Sequence, residues 1–167
     1  MTTQPALIFT VHGTPRPQPR PRFVHGRVVS TASKPAKAWR TMIQAAARRA
    51  MEANGWKIGD PPFYVAGPVR VSILFAFKTP ASHPERFGKP HTQRPDADNL
   101  AKGVMDAMQG GGVFTDDAQV ADLAPVKRWA DSAYTIVQVR QVVAVVDLPG
   151  VGLPSWLAGV DCEHPGG

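Results

Sequence analysis

The sequence predicts an α+β fold: a mixed, mostly antiparallel sheet of about five strands with two principal helices packed on it. Three observations carry that prediction. Residues 69–77 (VRVSILFAF) alternate Val69, Val71, Ile73, Phe75 and Phe77 on one side, the period-two pattern of a half-buried strand. Residues 35–53 place Ala36, Trp39, Met42, Ile43, Ala46, Ala47 and Ala50 in one apolar stripe at helical spacing. Residues 99–108 do the same with Leu100, Val104, Ala107 and Met108.

Taken in order, residues 6–11 (ALIFTV) read as a first strand, followed by Gly13 and prolines at 15, 17, 19 and 21. Alternating prolines exclude helix and favour an extended loop. Residues 23–30 (FVHGRVVS) read as a second strand, broken at Gly26. Thr31 or Ser33 is placed to cap the first helix. A turn-rich connector at 54–68 leads to the strand at 69–77, and a proline-rich loop follows at 78–95 (KTPASHPERFGKPHTQRP). That loop is expected to be flexible and to deliver the chain to Asp96.

Asp96-Ala97-Asp98-Asn99 opens the second helix, with Asp98 as its expected N-cap, and Gly110-Gly111-Gly112 ends it. Residues 119–129 and 134–146 read as a hairpin through residues 130–132, with Pro125 either demoting the first of the pair to an edge strand or bending it. One domain is therefore expected over residues 1–147, with a loosely attached, Gly- and Pro-rich tail at 148–167.

Charge is segregated. Of 19 Lys and Arg, nine lie in residues 1–51, which hold no Asp or Glu, whereas six of the 13 acids lie between Asp96 and Asp122. A basic third beside an acidic knot in a chain of net charge +6 points to a polyanion held by one region and processed by the other. Arg16, Arg20 and Arg22 on the proline-rich segment, and Lys89 and Arg94 on the second loop, are the cations placed to contact DNA phosphates. Cys162 is the single cysteine, which excludes an internal disulfide and fits a reducing cytoplasm. No apolar run is long enough for a membrane span, and the first residues lack the basic start of a signal peptide.

The chemistry concentrates in PDADNLAKGVMDAMQGGGVFTDDAQV, residues 95–120. The second helix is about 15 Å long, and the residues after it can reach roughly 30 Å when extended. The chain can thus turn at the glycines and return Asp116-Asp117 to Asp96 and Asp98. Carboxylates packed that closely need a cation, and an all-oxygen set suits Mg²⁺ or Mn²⁺ rather than zinc. The bland reading of Asp96 and Asp98, helix capping plus an Asp98–Lys102 pair, does not account for Asp116-Asp117. An EF-hand is excluded by Ala101 and Ala107, which stand where glycine and glutamate are required.

The pattern D-x-D-N-L-x-K, then D-A-M, a glycine turn and D-D-x-Q-V, resembles the RusA family of Holliday junction resolvases. The proline- and arginine-rich segment 13–22 is similar to that family's N-terminal motif. The resemblance covers roughly residues 8–140 and implies a RusA-like endonuclease that cuts four-way DNA junctions as a homodimer, with no membrane association. By position it implies Asp96, Asp98 and Asp117 as catalytic metal ligands, Asp116 as a further ligand, and Lys102 as the catalytic lysine. Two other classes stay open: a junction-binding module that does not cut, and a metal-dependent nucleotidyl enzyme using D-x-D to hold a nucleotide.

Overall fold

Val69, Val71, Ile73, Phe75 and Phe77 all lie buried on one face of strand β4 (Val69–Lys78), and the sheet is built around that strand. In this computed structural model, which describes residues 4–18, 22–24, 27–29 and 33–142, the strand order is β1-β6-β4-β5. Here β1 is Leu7–His12, β5 is Val120–Ala130 and β6 is Tyr134–Gln141. β6 runs antiparallel to both β1 and β4, whereas β4 and β5 are parallel. The expected α+β class and mostly antiparallel sheet are therefore what the chain adopts. Residues 23–30 form two short strands, β2 (Arg22–Val24) and β3 (Arg27–Val29), which pair with each other as a separate ribbon. The tail at 148–167, and the continuation of β6 expected to residue 146, lie outside the described residues.

The expected hairpin of β5 with β6 is not formed, because β4 lies between them. β4 is the strand with the most complete apolar face, and it gains most from a central position with partners on both sides. The three residues joining β5 to β6 suffice for the step: two interstrand spacings are about 9.6 Å, within reach of an extended tripeptide. β5 takes the edge, where Pro125 costs no ladder hydrogen bond on its open side. A parallel β4–β5 pair demands a crossover, and the second helix supplies it.

Helix α1 (Lys34–Ala53) is capped by Ser33, whose side chain accepts from the Ala36 amide at 3.4 Å. It buries Trp39, Ile43, Ala46, Ala47 and Met51. Helix α2 (Ala97–Gly110) buries Leu100, Ala101, Val104, Ala107 and Met108. Its N-cap position is Asp96, not Asp98, and no side chain caps it. Asp98 instead sits in the first turn, where the helix dipole favours its charge. No helix among the described residues is long and apolar enough to cross a membrane.

Candidate active site

The start of α2 is held from two sides. On one side, Lys127 of β5 extends its ammonium to the carbonyls of Gln93 and Pro95, each at 2.6 Å. The loop at 78–95 is ordered rather than flexible. Gly88 and His91 donate backbone bonds to Trp129 and Lys127, Trp129 donates to Lys89, and Pro90 bridges to Arg128, so residues 88–91 lie along the far end of the edge strand. His91 is buried between Phe77 and Trp129, with ring centroids 4.1 and 4.2 Å away, and Arg86 lies 5.7 Å from the Trp129 ring. Burial, followed by the cations of Lys127 and Arg86, holds the His91 imidazole below its ordinary range. A proline-rich composition signals a loop but not its docking partners, so the sequence reading missed Lys127 and His91.

On the other side, the proline-rich N-terminal segment lies across α2. The Gln18 amide donates to the Asn99 carbonyl at 3.3 Å, and the Gln18 side chain donates to Asp106. Asp106 is thus a structural anchor, partnered by Gln18 rather than Lys102. Gly103 lies under the crossing: a Cβ there would meet the Gln18 amide at 3.5 Å and Trp39 at 3.7 Å, ordinary contact distances that admit a methyl but little more.

Between these two segments opens a cleft of about 680 Å³. Thr14, Pro15, Arg16 and Pro17 line one wall; Arg94, Pro95, Asp96, Asn99 and Phe77 line the other. The structure therefore brings Arg16, Arg94 and Asp96 together. The side chains of Asp96, Asp98 and Lys102 are exposed and have no hydrogen-bond or ion-pair partner among the described residues, so the simple Asp98–Lys102 pair is absent. Lys89 lies exposed on the loop beside Trp129. Arg22 begins β2, its side chain outside the described residues, as is all of Arg20.

The D-D pair divides its work. Asp116 caps a single 3₁₀ turn, Asp117–Gln119, by accepting from the Ala118 amide at 2.8 Å. The Gln119 side-chain oxygen accepts from the Thr115 and Asp116 amides, while its nitrogen donates to the Tyr64 and Gly67 carbonyls. That leaves Asp117 exposed and without a side-chain partner among the described residues.

The two acid groups do not meet within one chain. After the glycines the chain does not return along α2; it pairs with residues 63–64, the Phe63 and Tyr64 amides donating to Gly112 and Val113 at 2.9 Å. Val120 is in register with Val69, whereas Lys127, which clamps Pro95, is in register with Phe75. Six residues of strand, roughly 20 Å, separate the two ends. Among the described residues, no group of three or more His, Cys, Asp or Glu side chains is placed to hold a metal ion. The expected convergence of Asp116-Asp117 on Asp96 and Asp98 is thus corrected for the single chain. The reason is physical: contour length limits how far a segment reaches, but strand pairing decides where it goes.

A partly apolar cleft lined by Arg16, Arg94 and Asp96, the last without a side-chain partner among the described residues, is a layout suited to a phosphodiester chain. The chain belongs to the RusA family: the family model for endodeoxyribonuclease RusA matches residues 12–140, well over half of its length. No curated protein sequence matches the chain.

Proposed function

We propose that this protein is a metal-dependent, structure-selective endonuclease that resolves four-way DNA junctions by paired nicks, in recombination and repair, and that it works as a homodimer in the cytoplasm. The observation that carries the reading is the pair of exposed carboxylates Asp96 and Asp98, without a side-chain partner among the described residues, at a cleft that Arg16 and Arg94 also line. Within one chain the acids do not fit a metal ion. A two-fold axis across the middle of the α2–β5 unit removes that difficulty, because it exchanges the two ends of the unit. Asp117 of each copy then faces Asp96 and Asp98 of the other, giving two equivalent sites for two nicks. Leu123 and Val126, 38% and 41% exposed and on opposite faces of β5, leave apolar surface on both sides of the middle of that edge.

Asp96 and Asp98 of one copy, with Asp117 of its partner, are the residues that would hold Mg²⁺ or Mn²⁺; Asp116 is a weaker donor, since it is committed to its cap. A bound divalent ion supplies Lewis-acid stabilisation of the phosphate and a more acidic water. The protein's own part is to grip and orient. Arg16 and Arg94, with Lys89, Arg20 and Arg22, hold flanking phosphates, and Lys102, one helical turn from Asp98, stabilises negative charge that develops on the scissile group.

The test is nicking of a labelled four-way junction against linear duplex with Mg²⁺ or EDTA, using Asp98→Asn, Asp117→Asn and an equimolar mixture of the two. Neither variant nicks alone. The mixture regains nicking, because one of the two sites in a mixed dimer has all its acids intact. Nicking by wild type with no recovery in the mixture overturns the shared site. Tight metal-free binding with no nicks under any condition favours the non-cleaving module.

A further inference from the structure

We propose that the cleft beside Asp96 holds one nucleobase, unstacked from the branch point next to the strand that is cut. This rests on the reading above for its substrate and adds a subsite to it. The cleft has more than phosphate contact requires. Its volume of about 680 Å³ falls in the range of small-molecule pockets, roughly 300–1,000 Å³, room enough for one planar base.

Its walls are apolar where a base would lie. Pro15 and Pro17 stand on one side, and Pro95 and Phe77 on the other. Phe77 lines the cleft with only 7% of its surface exposed; His91 lies against it at 4.1 Å, and Trp129 backs His91 at 4.2 Å. A base entering the cleft packs against the prolines and the exposed part of Phe77, apolar contact of the kind proteins use to hold single-stranded bases. The Thr14 hydroxyl and the Asn99 amide offer hydrogen bonds to a base edge. Charge argues for a base rather than a phosphate inside. Asp96 in the lining repels an anion, while the exposed guanidinium groups of Arg16 and Arg94 are free to meet phosphates on either side of the base. Extruding a base costs least where stacking is already interrupted, as at a branch point.

The test uses the full chain in EDTA and measures binding by fluorescence anisotropy. Four-way junctions carry a single abasic residue, moved one nucleotide at a time through the branch point. Wild type is expected to lose about tenfold in affinity at one position per binding site, the scale of one lost base–aromatic stack. Thr14→Trp, at an exposed position on the cleft wall, fills the space with an indole. It is expected to bind the intact junction about tenfold more weakly and to be indifferent to the abasic residue. Equal affinity across the whole scan, or Thr14→Trp with wild-type affinity and wild-type abasic sensitivity, overturns the proposal. Because the readout is metal-free binding, a protein that binds and fails to nick refutes the nuclease reading and leaves this result standing.

Discussion

Replacing Lys127 with methionine isolates what holds the start of α2 in place. The ammonium donates to the carbonyls of Gln93 and Pro95, both at 2.6 Å, and methionine keeps much of the aliphatic stem while removing both bonds. A hydrogen bond to a charged group contributes about 1.5–3 kcal/mol. The Gln93 carbonyl is exposed and its bond counts for little; the Pro95 bond is partly buried and counts for more. The expected cost of Lys127→Met is therefore about 2 kcal/mol, roughly a 30-fold shift toward an undocked loop.

Urea denaturation measures the global part. Amide exchange at His91, whose N–H donates to the Lys127 carbonyl, measures the local part. Both should move together with a loss of junction nicking, because Asp96 follows Pro95 directly. An unchanged denaturation midpoint with unchanged His91 exchange would refute the clamp, and Asp96 would then owe its position to α2 alone.

Three further outcomes follow from the same contacts. Gly103→Ala should be neutral or stabilising by up to about 1 kcal/mol in a thermal melt, since its methyl meets ordinary contact distances, whereas Gly103→Leu should push residues 14–18 off α2 and weaken DNA binding. Asp116→Ala should cost about 1 kcal/mol through its lost cap, while Asp117→Asn should leave stability within about 0.5 kcal/mol and abolish nicking; a melt and a nicking assay on each separate the two roles. His91 is held neutral, its folded pKa below the unfolded value near 6.5, so the unfolded chain binds the extra proton first. Its stability contribution is then complete above about pH 6.5 and is lost as pH falls; melting temperature should drop between pH 7 and 5.5, and drop less in His91→Phe.

Much of this architecture was legible because local periodicity reports burial. The alternation in β4 and the stripe Leu100, Val104, Ala107 and Met108 both name residues that end up fully covered. Pro125 was a sound edge marker because its missing N–H limits where it can sit. What failed was long-range pairing. Nothing local in residues 119–146 reveals that β4 will insert between β5 and β6, because that depends on which third strand most needs two neighbours. The site divides the same way. Among the described residues Asp96, Asp98 and Asp117 have no side-chain partner, yet their separation is set by the pairing of residues 112–114 with residues 63–64, which no spacing within the motif encodes. The loop at 78–95 looked like a free connector because its anchors, Lys127 and Trp129, lie more than thirty residues further along the chain.

Gln119 has a consequence for how the protein should respond to salt. One uncharged amide ties four backbone groups, from Thr115, Asp116, Tyr64 and Gly67, into the turn that presents Asp117. Counterions weaken attraction between charges and leave amide–carbonyl bonds nearly untouched. Raising ionic strength should therefore loosen the DNA contacts proposed for the arginines while the seat of Asp117 stays fixed. Affinity and catalytic geometry are in that sense tuned on separate axes, so a salt titration changes how often DNA is held without changing how Asp117 is presented to it.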